Sequence, residues 1–204
     1  NGVGVAGVNW HLEPIPVKVL GASGSGSMAG VFEGLLWAAG FQFPEYEGHV
    51  NPNPAKVANL SLGGLWGDVC PADFNELFEV VYELTGMITV VAAGNDGSPA
   101  NPFMPAACDA VITVGATGPT GARAYYSNYG SQVDVFAPGG DADYPHPVAE
   151  LAELGLFAGV MSTTWNVVDD APTYGVNQGT SMAAPHVTGV VSLMLAAEPD
   201  LTLE

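Results

Sequence analysis

Ser181 stands in the stretch Gly179-Thr180-Ser181-Met182-Ala183-Ala184-Pro185-His186-Val187, a glycine-led turn that opens a small-residue apolar run from Ala183 to Ala197. The run reads as a helix, so the hydroxyl lies at a helix N-terminus. Unpaired N–H groups and the helix dipole there favour developing negative charge. A serine so placed is a candidate nucleophile whose own N–H can help to hold an oxyanion. Its ordinary alternative role is to cap the helix. Asn95 follows the apolar run Ile88 to Ala93 at a Gly-Asn turn. Its side-chain amide is a candidate second donor for the charge that appears only in a tetrahedral transition state. Here the ordinary alternative is an Asx turn.

A different chemistry competes for the same region. Gly24-Ser25-Gly26-Ser27-Met28-Ala29 matches the G-x-G-x-x-A dinucleotide fingerprint, between an expected strand and an expected helix. That fingerprint also wants an acidic residue at the end of the next strand, about twenty residues on. Glu45 and Glu47 fall in a proline-rich loop instead, and the next strand ends in Gly63-Gly64. Nucleotide binding is therefore the weaker reading. Acyl transfer has both of its donors, and Gly24–Gly26 and Leu62–Gly64 add backbone free of bulky side chains that could pair with an extended peptide.

The elements that must position these residues alternate between strand and helix. Ile15–Leu20, Val57–Leu62, Ile88–Ala93, Val111–Val114 and Val133–Phe136 read as strands, with Val160–Thr164 and Tyr174–Gln178 as later short ones. Met28–Ala39 and Phe74–Leu84 read as helices, the second ended by Gly86. Phe41–Pro54 and the acidic stretch Gly139–Gly159 read as loops, the latter with a short helix over Val148–Leu156. Several strands are apolar on both faces, which predicts an α/β domain with a mainly parallel sheet. Sites in such sheets lie at the carboxyl ends of the strands. The rule selects Gly21–Gly26, Gly63–Gly64, Gly94–Asn95 and the Ser181 turn.

With 204 residues, 48% of them hydrophobic, the chain can form one domain with a sizeable core. Three Lys+Arg stand against 21 Asp+Glu, a formal charge of −18. That balance disfavours nucleic acid and anionic lipid, both of which need basic neutralisation. No membrane span is read in the sequence. The acidity suits a saline or extracellular setting, with stability expected to fall as salt is removed. Cys70 and Cys108 leave a single disulfide and two buried thiols both open.

Leu60–Gly64 (LSLGG), Val90–Gly97 (VVAAGNDG), Ala137–Gly139 (APG) and above all Gly179–Val187 (GTSMAAPHV) together resemble the subtilisin-type serine proteases. The opening Asn1–Val8 and Val17–Ser27 resemble that family's calcium-loop and strand region. The resemblance implies a three-layer α/β domain over residues 1–204, expected to be incomplete at both ends, acting as a secreted serine endopeptidase on extended polypeptides and monomeric when complete. It makes Ser181 the acyl-forming serine and Asn95 the oxyanion donor. Ser23, Gly24, Ser25 and Gly26, with Leu62, Gly63 and Gly64, become the two strands that clamp the substrate backbone. Met28, Val31 and Leu62 become walls of the pocket for the fourth residue before the scissile bond, and Ala92, Ala93 and Gly94 one wall of the primary pocket. Asn1, Val3 and Val5 become part of a structural Ca²⁺ site. A disulfide between Cys70 and Cys108 would brace the primary pocket. Asp96 and the acidic loop could favour basic side chains near the cut, although a generally acidic surface accounts for them as well.

The family's triad also needs a histidine base and an orienting aspartate. In the family both precede the calcium-loop region, and Asn1 already lies past them. The expectation is a piece of a longer catalytic domain, inactive alone, or a homologue that binds extended peptides without cleaving them. His186 lies five residues after Ser181, roughly 140° around the helix, and reads as structural. His11, His49 and His146 sit in no motif that would hold them against a serine.

Overall fold

The computed structural model describes residues 4–42, 50–144, 149, 153 and 157–203. Four strands, β1 (Val57–Leu60), β3 (Ile88–Ala92), β5 (Ile112–Thr117) and β6 (Val135–Pro138), form a parallel sheet in the order β1-β3-β5-β6. Two short antiparallel pairs flank it: β2 (Gly64–Leu65) with β4 (Phe103–Met104), and β7 (Val160–Asn166) with β8 (Ala171–Asn177). The helices are α1 (Met28–Ala38), α2 (Ala72–Thr85) and α3 (Thr180–Ala197).

β3 is buried along its whole length, and successive side chains of a strand point to opposite faces. Val91 joins a core with Val31 and Leu35 of α1 and Phe78 and Val81 of α2. Ile88, Val90 and Ala92 join the other core, with Val114, Ala116 and the α3 residues Ala183, Ala184 and Val191. Helices thus cover both faces of the sheet in three layers, as the two-sided apolar strands predict. α3 has 18 residues and a mean hydropathy of 1.3, long and apolar enough to cross a membrane by length and composition. Its packed alanine face makes it a core helix of this domain.

Local chemistry sets the helix ends. Ser27 caps α1 by accepting from Gly30 N–H at 3.1 Å. Gly86 ends α2 in the left-handed region, with φ of 69°. Cys70 and Cys108 are joined in a disulfide, which decides between the alternatives the sequence left open and ties the start of α2 to the segment after β4.

Two sequence expectations need correction. Ile15–Leu20 is not a strand. Half-buried Ile15, Val17 and Val19 do alternate with exposed Pro16 and Lys18. However, a cleft of about 930 Å³ separates them from β1, with Pro14, Ile15, Val17 and Val19 on one wall and Val57–Leu60 on the other. Ladder hydrogen bonds need strands about 4.8 Å apart, so this side of β1 has no pairing partner among the described residues. Second, α3 begins at Thr180, earlier than the apolar run suggests, and Gly179 is its N-cap. Ser181 is therefore inside the first turn and does not cap the helix. The later short strands expected at Val160–Thr164 and Tyr174–Gln178 are present and pair with each other as a hairpin apart from the main sheet. The helix expected over Val148–Leu156 falls largely outside the described residues.

Candidate active site

The carboxyl ends of β1 and β3 and the N-terminus of α3 meet at a cleft of about 600 Å³. Gly24, Ser25, Gly26, Met28 and Val31 line one side of it, and Leu62, Gly63 and Gly64 the other. Ala92, Gly94, Asn95 and Ser181 complete the lining expected from sequence. Two expected residues lie outside it. Ser23 is in an exposed turn, and Ala93 is fully buried behind the wall, its carbonyl accepting from Asn128 Nδ2 at 2.9 Å.

Asn95 is oriented by Thr180. Its Oδ1 accepts from Thr180 N–H at 2.8 Å and from the Thr180 hydroxyl at 3.0 Å. Both partners are donors, so they fix which amide atom is the oxygen and leave Nδ2 directed away from them. Thr180 Oγ1 in turn accepts from Gly94 N–H at 3.1 Å. The result can be read at Gly179, whose φ is 146°. A Cβ built there would stand 3.6 Å from Asn95 Nδ2, from Asn95 Oδ1 and from Ser181 N. The Asn95 amide and the Ser181 N–H thus border the same space beside Gly179, and any side chain at that position would crowd both. Preorganised donors around one point are what an oxyanion requires.

The turn that carries Asn95 is gripped from behind by Asn128, which is fully buried. Asn128 Oδ1 accepts from Asp96 N–H at 2.9 Å and Ser98 N–H at 3.2 Å, and Asn128 N–H donates to Gly94 O at 3.0 Å. Gly94 has φ of 102°, and a Cβ there would collide with Asn128 Nδ2. Tyr126 is buried against the same turn, and burial pushes its phenol up to about 12. Sequence reasoning missed Thr180, Asn128 and Tyr126, and also Ser61, Leu20, Phe103 and Met104, which line the cleft.

Ser181 is half-buried, and its hydroxyl donates to Ser61 O at 3.3 Å. No described hydrogen bond joins it to a histidine. His186 Nδ1 faces Met182 O at 2.8 Å, and because a carbonyl only accepts, that nitrogen carries the proton. This is the structural role expected of it. His11 lines the separate cleft beside β1, and His49 and His146 lie outside the described residues. Of the expected calcium ligands, Asn1 and Val3 also lie outside them, while Val5 is in an exposed loop. Among the described residues no three His, Cys, Asp or Glu side chains group to hold a metal. A single carbonyl falls far short of the roughly six to eight oxygens that Ca²⁺ takes. The described residues do not fit a calcium site, and none is used below.

The Subtilase family model matches residues 1–204. An extracellular basic protease of Dichelobacter nodosus is 39% identical over 202 residues, covering 97% of this chain and 29% of that protein. Alkaline elastase YaB of a Bacillus species is 35% identical, covering 98% of this chain and 42% of the relative. Among solved structures, a protease of Pseudoalteromonas arctica PAMC 21717 superposes with a TM-score of 0.85 at 40% identity, covering 99% of this chain and 56% of that one. A cold-adapted subtilisin-like serine proteinase gives 0.65 at 32% identity, covering 91% and 54%. The chain thus spans between 29% and 42% of the length of these two curated relatives.

Proposed function

The chain belongs to the subtilase family, and from that premise we propose that residues 1–204 are part of the catalytic domain of a secreted serine endopeptidase, with Ser181 as its nucleophile. The observation that carries this reading is that the Asn95 amide and Ser181 N border the same space beside Gly179, and that Asn95 and Ser181 line one cleft. An extended peptide lies between Gly24–Gly26 and Leu62–Gly64, with its scissile carbonyl oxygen between the two donors. Ser181 Oγ attacks the carbonyl carbon and gives up its proton to a histidine base. The negative charge on the oxygen is met by the two N–H groups, and collapse expels the amine, which takes the proton back from the base. Water then releases the acyl group from Ser181 by the same route in reverse.

The base and its orienting aspartate are assigned to chain outside residues 1–204. Two observations support that assignment. No described histidine bonds Ser181, and β1 offers an unpaired edge beside a cleft of about 930 Å³ where a strand carrying such a residue can pair. Secretion is inferred from the extracellular naming of the D. nodosus relative and from the acidity of the chain. On that assignment the described residues form a peptide-binding cleft without a general base.

Hydrolysis of an extended chromogenic peptide by the complete gene product tests the reading. Turnover that Ser181→Ala abolishes, with peptide binding retained, is expected. A complete protein that binds the peptide and never cleaves it would make the chain a binding homologue instead.

A further inference from the structure

Tyr126 is the residue through which the two donor-bearing turns meet. Its main-chain carbonyl accepts from Gly97 N–H at 2.7 Å, two residues after Asn95. Its hydroxyl accepts from Gly179 N–H at 3.0 Å, two residues before Ser181. The phenolic proton is directed at two carbonyls of the β6 exit loop, Gly139 O at 2.9 Å and Gly140 O at 2.7 Å. One buried residue therefore touches the Asn95 turn through its backbone, and the Gly179 cap and the loop that supports that cap through its side chain.

The ring alone would satisfy the packing, since Tyr126 lies in an apolar core with Ala116, Ala124 and Ala137. A buried hydroxyl needs partners to offset its desolvation, and here all of them are backbone groups of turns around the cleft. Gly179, the N-cap of α3, has no side chain to cap its first turn. The N-terminal end of α3 is held by Asn95 Oδ1 at Thr180 N–H and by the Tyr126 hydroxyl at Gly179 N–H. The neighbouring Tyr125 hydroxyl accepts from Gln178 Nε2 at 3.1 Å, so two adjacent tyrosines hold two successive residues leading to Ser181. Burial keeps the Tyr126 phenol protonated to about pH 12, so the grip on both carbonyls persists at any ordinary working pH.

We infer that Tyr126 is a positioning residue for the oxyanion hole, setting the separation of Asn95 Nδ2 and Ser181 N through its carbonyl at Gly97 and its hydroxyl at Gly179. This rests on the acyl-transfer reading of the cleft. Misplacement of reacting groups by about 1 Å can cost roughly a hundredfold in rate, so loss of one anchor among several has room for a measurable effect.

Tyr126→Phe removes the hydroxyl and keeps the ring. It leaves Gly179 N–H bonded to Gly139 O at 2.9 Å and Gly139 N–H bonded to Thr117 O at 3.0 Å, so the fold has alternative ties. The test measures kcat and KM of the complete gene product and inhibition by a peptide aldehyde, which forms a tetrahedral adduct in the same hole. Both are measured in the wild type, Tyr126→Phe, Asn95→Ala and the double variant. In Tyr126→Phe, kcat is expected to fall about tenfold with KM nearly unchanged, and the aldehyde to weaken in parallel. In the Asn95→Ala background the same substitution should cost much less, because one of the donors being spaced is gone. An unchanged kcat, or an equal loss in both backgrounds, would overturn the inference. A wild type that hydrolyses no peptide would instead overturn the acyl-transfer reading beneath it.

Discussion

The Ser61 hydroxyl donates to the main-chain carbonyl of Ser181 at 2.7 Å, and the Ser181 hydroxyl rests on the Ser61 carbonyl at 3.3 Å. The first bond repairs a break in α3. In a helix the carbonyl of residue 181 takes the N–H of residue 185, but Pro185 has none. The Ser61 side chain, just after β1, supplies the missing donor and so ties the Ser181 backbone to the end of that strand.

Ser61→Ala leaves that carbonyl unpaired, and the expected loss is about 1–2 kcal/mol of stability in urea unfolding. Pro185→Ala returns an N–H to the helix. In the Ser61→Ala background it should therefore recover part of the loss. Additive destabilisation by the two substitutions would show that the Ser61 bond does not replace the missing helix bond.

Asn95→Ala removes one of the two donors. Kinetics of the complete gene product should show kcat reduced roughly a hundred- to a thousandfold with KM little changed. That magnitude is the one measured for an oxyanion asparagine in subtilisin, a member of this family, and is carried over by analogy. Thr180→Val keeps the backbone N–H that Asn95 Oδ1 accepts and deletes the hydroxyl that also donates to it. A smaller loss, about tenfold, is expected. Equal losses from the two would make Thr180 as important as the amide it orients.

Most of the frame was legible in the sequence because periodicity reports burial. β3 is apolar at every position but Thr89 and proves to be buried along its whole length. Gly86 announced the end of α2 through a conformation that glycine adopts freely. Ser181 and Asn95 stood out through the family resemblance of GTSMAAPHV and VVAAGNDG, because by position alone each has an ordinary role as a helix cap or turn residue. What could not be read was set by tertiary partners. Ile15–Leu20 has the alternation of a strand and lacks a neighbour within ladder distance. Thr180, Asn128 and Tyr126 act through backbone groups 13 to 86 positions away in sequence. No local pattern encodes those contacts.

Tyr126 also predicts a pH dependence. Its phenol titrates at about 12 in the folded chain and at 10.0 ordinarily, raised chiefly by burial, with the hydrogen bond from Gly179 opposing and Asp141 and Tyr125 adding to the rise. The folded state therefore holds this proton more tightly than the unfolded state. Its contribution to stability is complete below pH 10 and is lost as the pH rises towards 12. Thermal unfolding between pH 9 and pH 12 should show a steeper fall for the wild type than for Tyr126→Phe. Parallel profiles would mean that the phenol titrates alike in both states.

The Cys70–Cys108 bond closes a sequence separation of 38 residues that includes α2 and β3. Replacing both cysteines with alanine should cost about 2–4 kcal/mol, read as a lower unfolding midpoint. Thiol titration of the denatured protein should find free thiols only after reductant is added. Two thiols without reductant would contradict the bond.

The central claim is that Ser181 is the nucleophile of an acyl-transfer site whose base lies outside residues 1–204. Its most direct test is mass-spectrometric mapping of a fluorophosphonate adduct, made side by side on the complete gene product and on residues 1–204 alone. The account predicts phosphonylation of Ser181 in the complete protein, none after Ser181→Ala, and little in the isolated residues. Rapid labelling of Ser181 in residues 1–204 alone would contradict the assignment of the base, and an adduct on another residue of an active complete protein would contradict Ser181 itself.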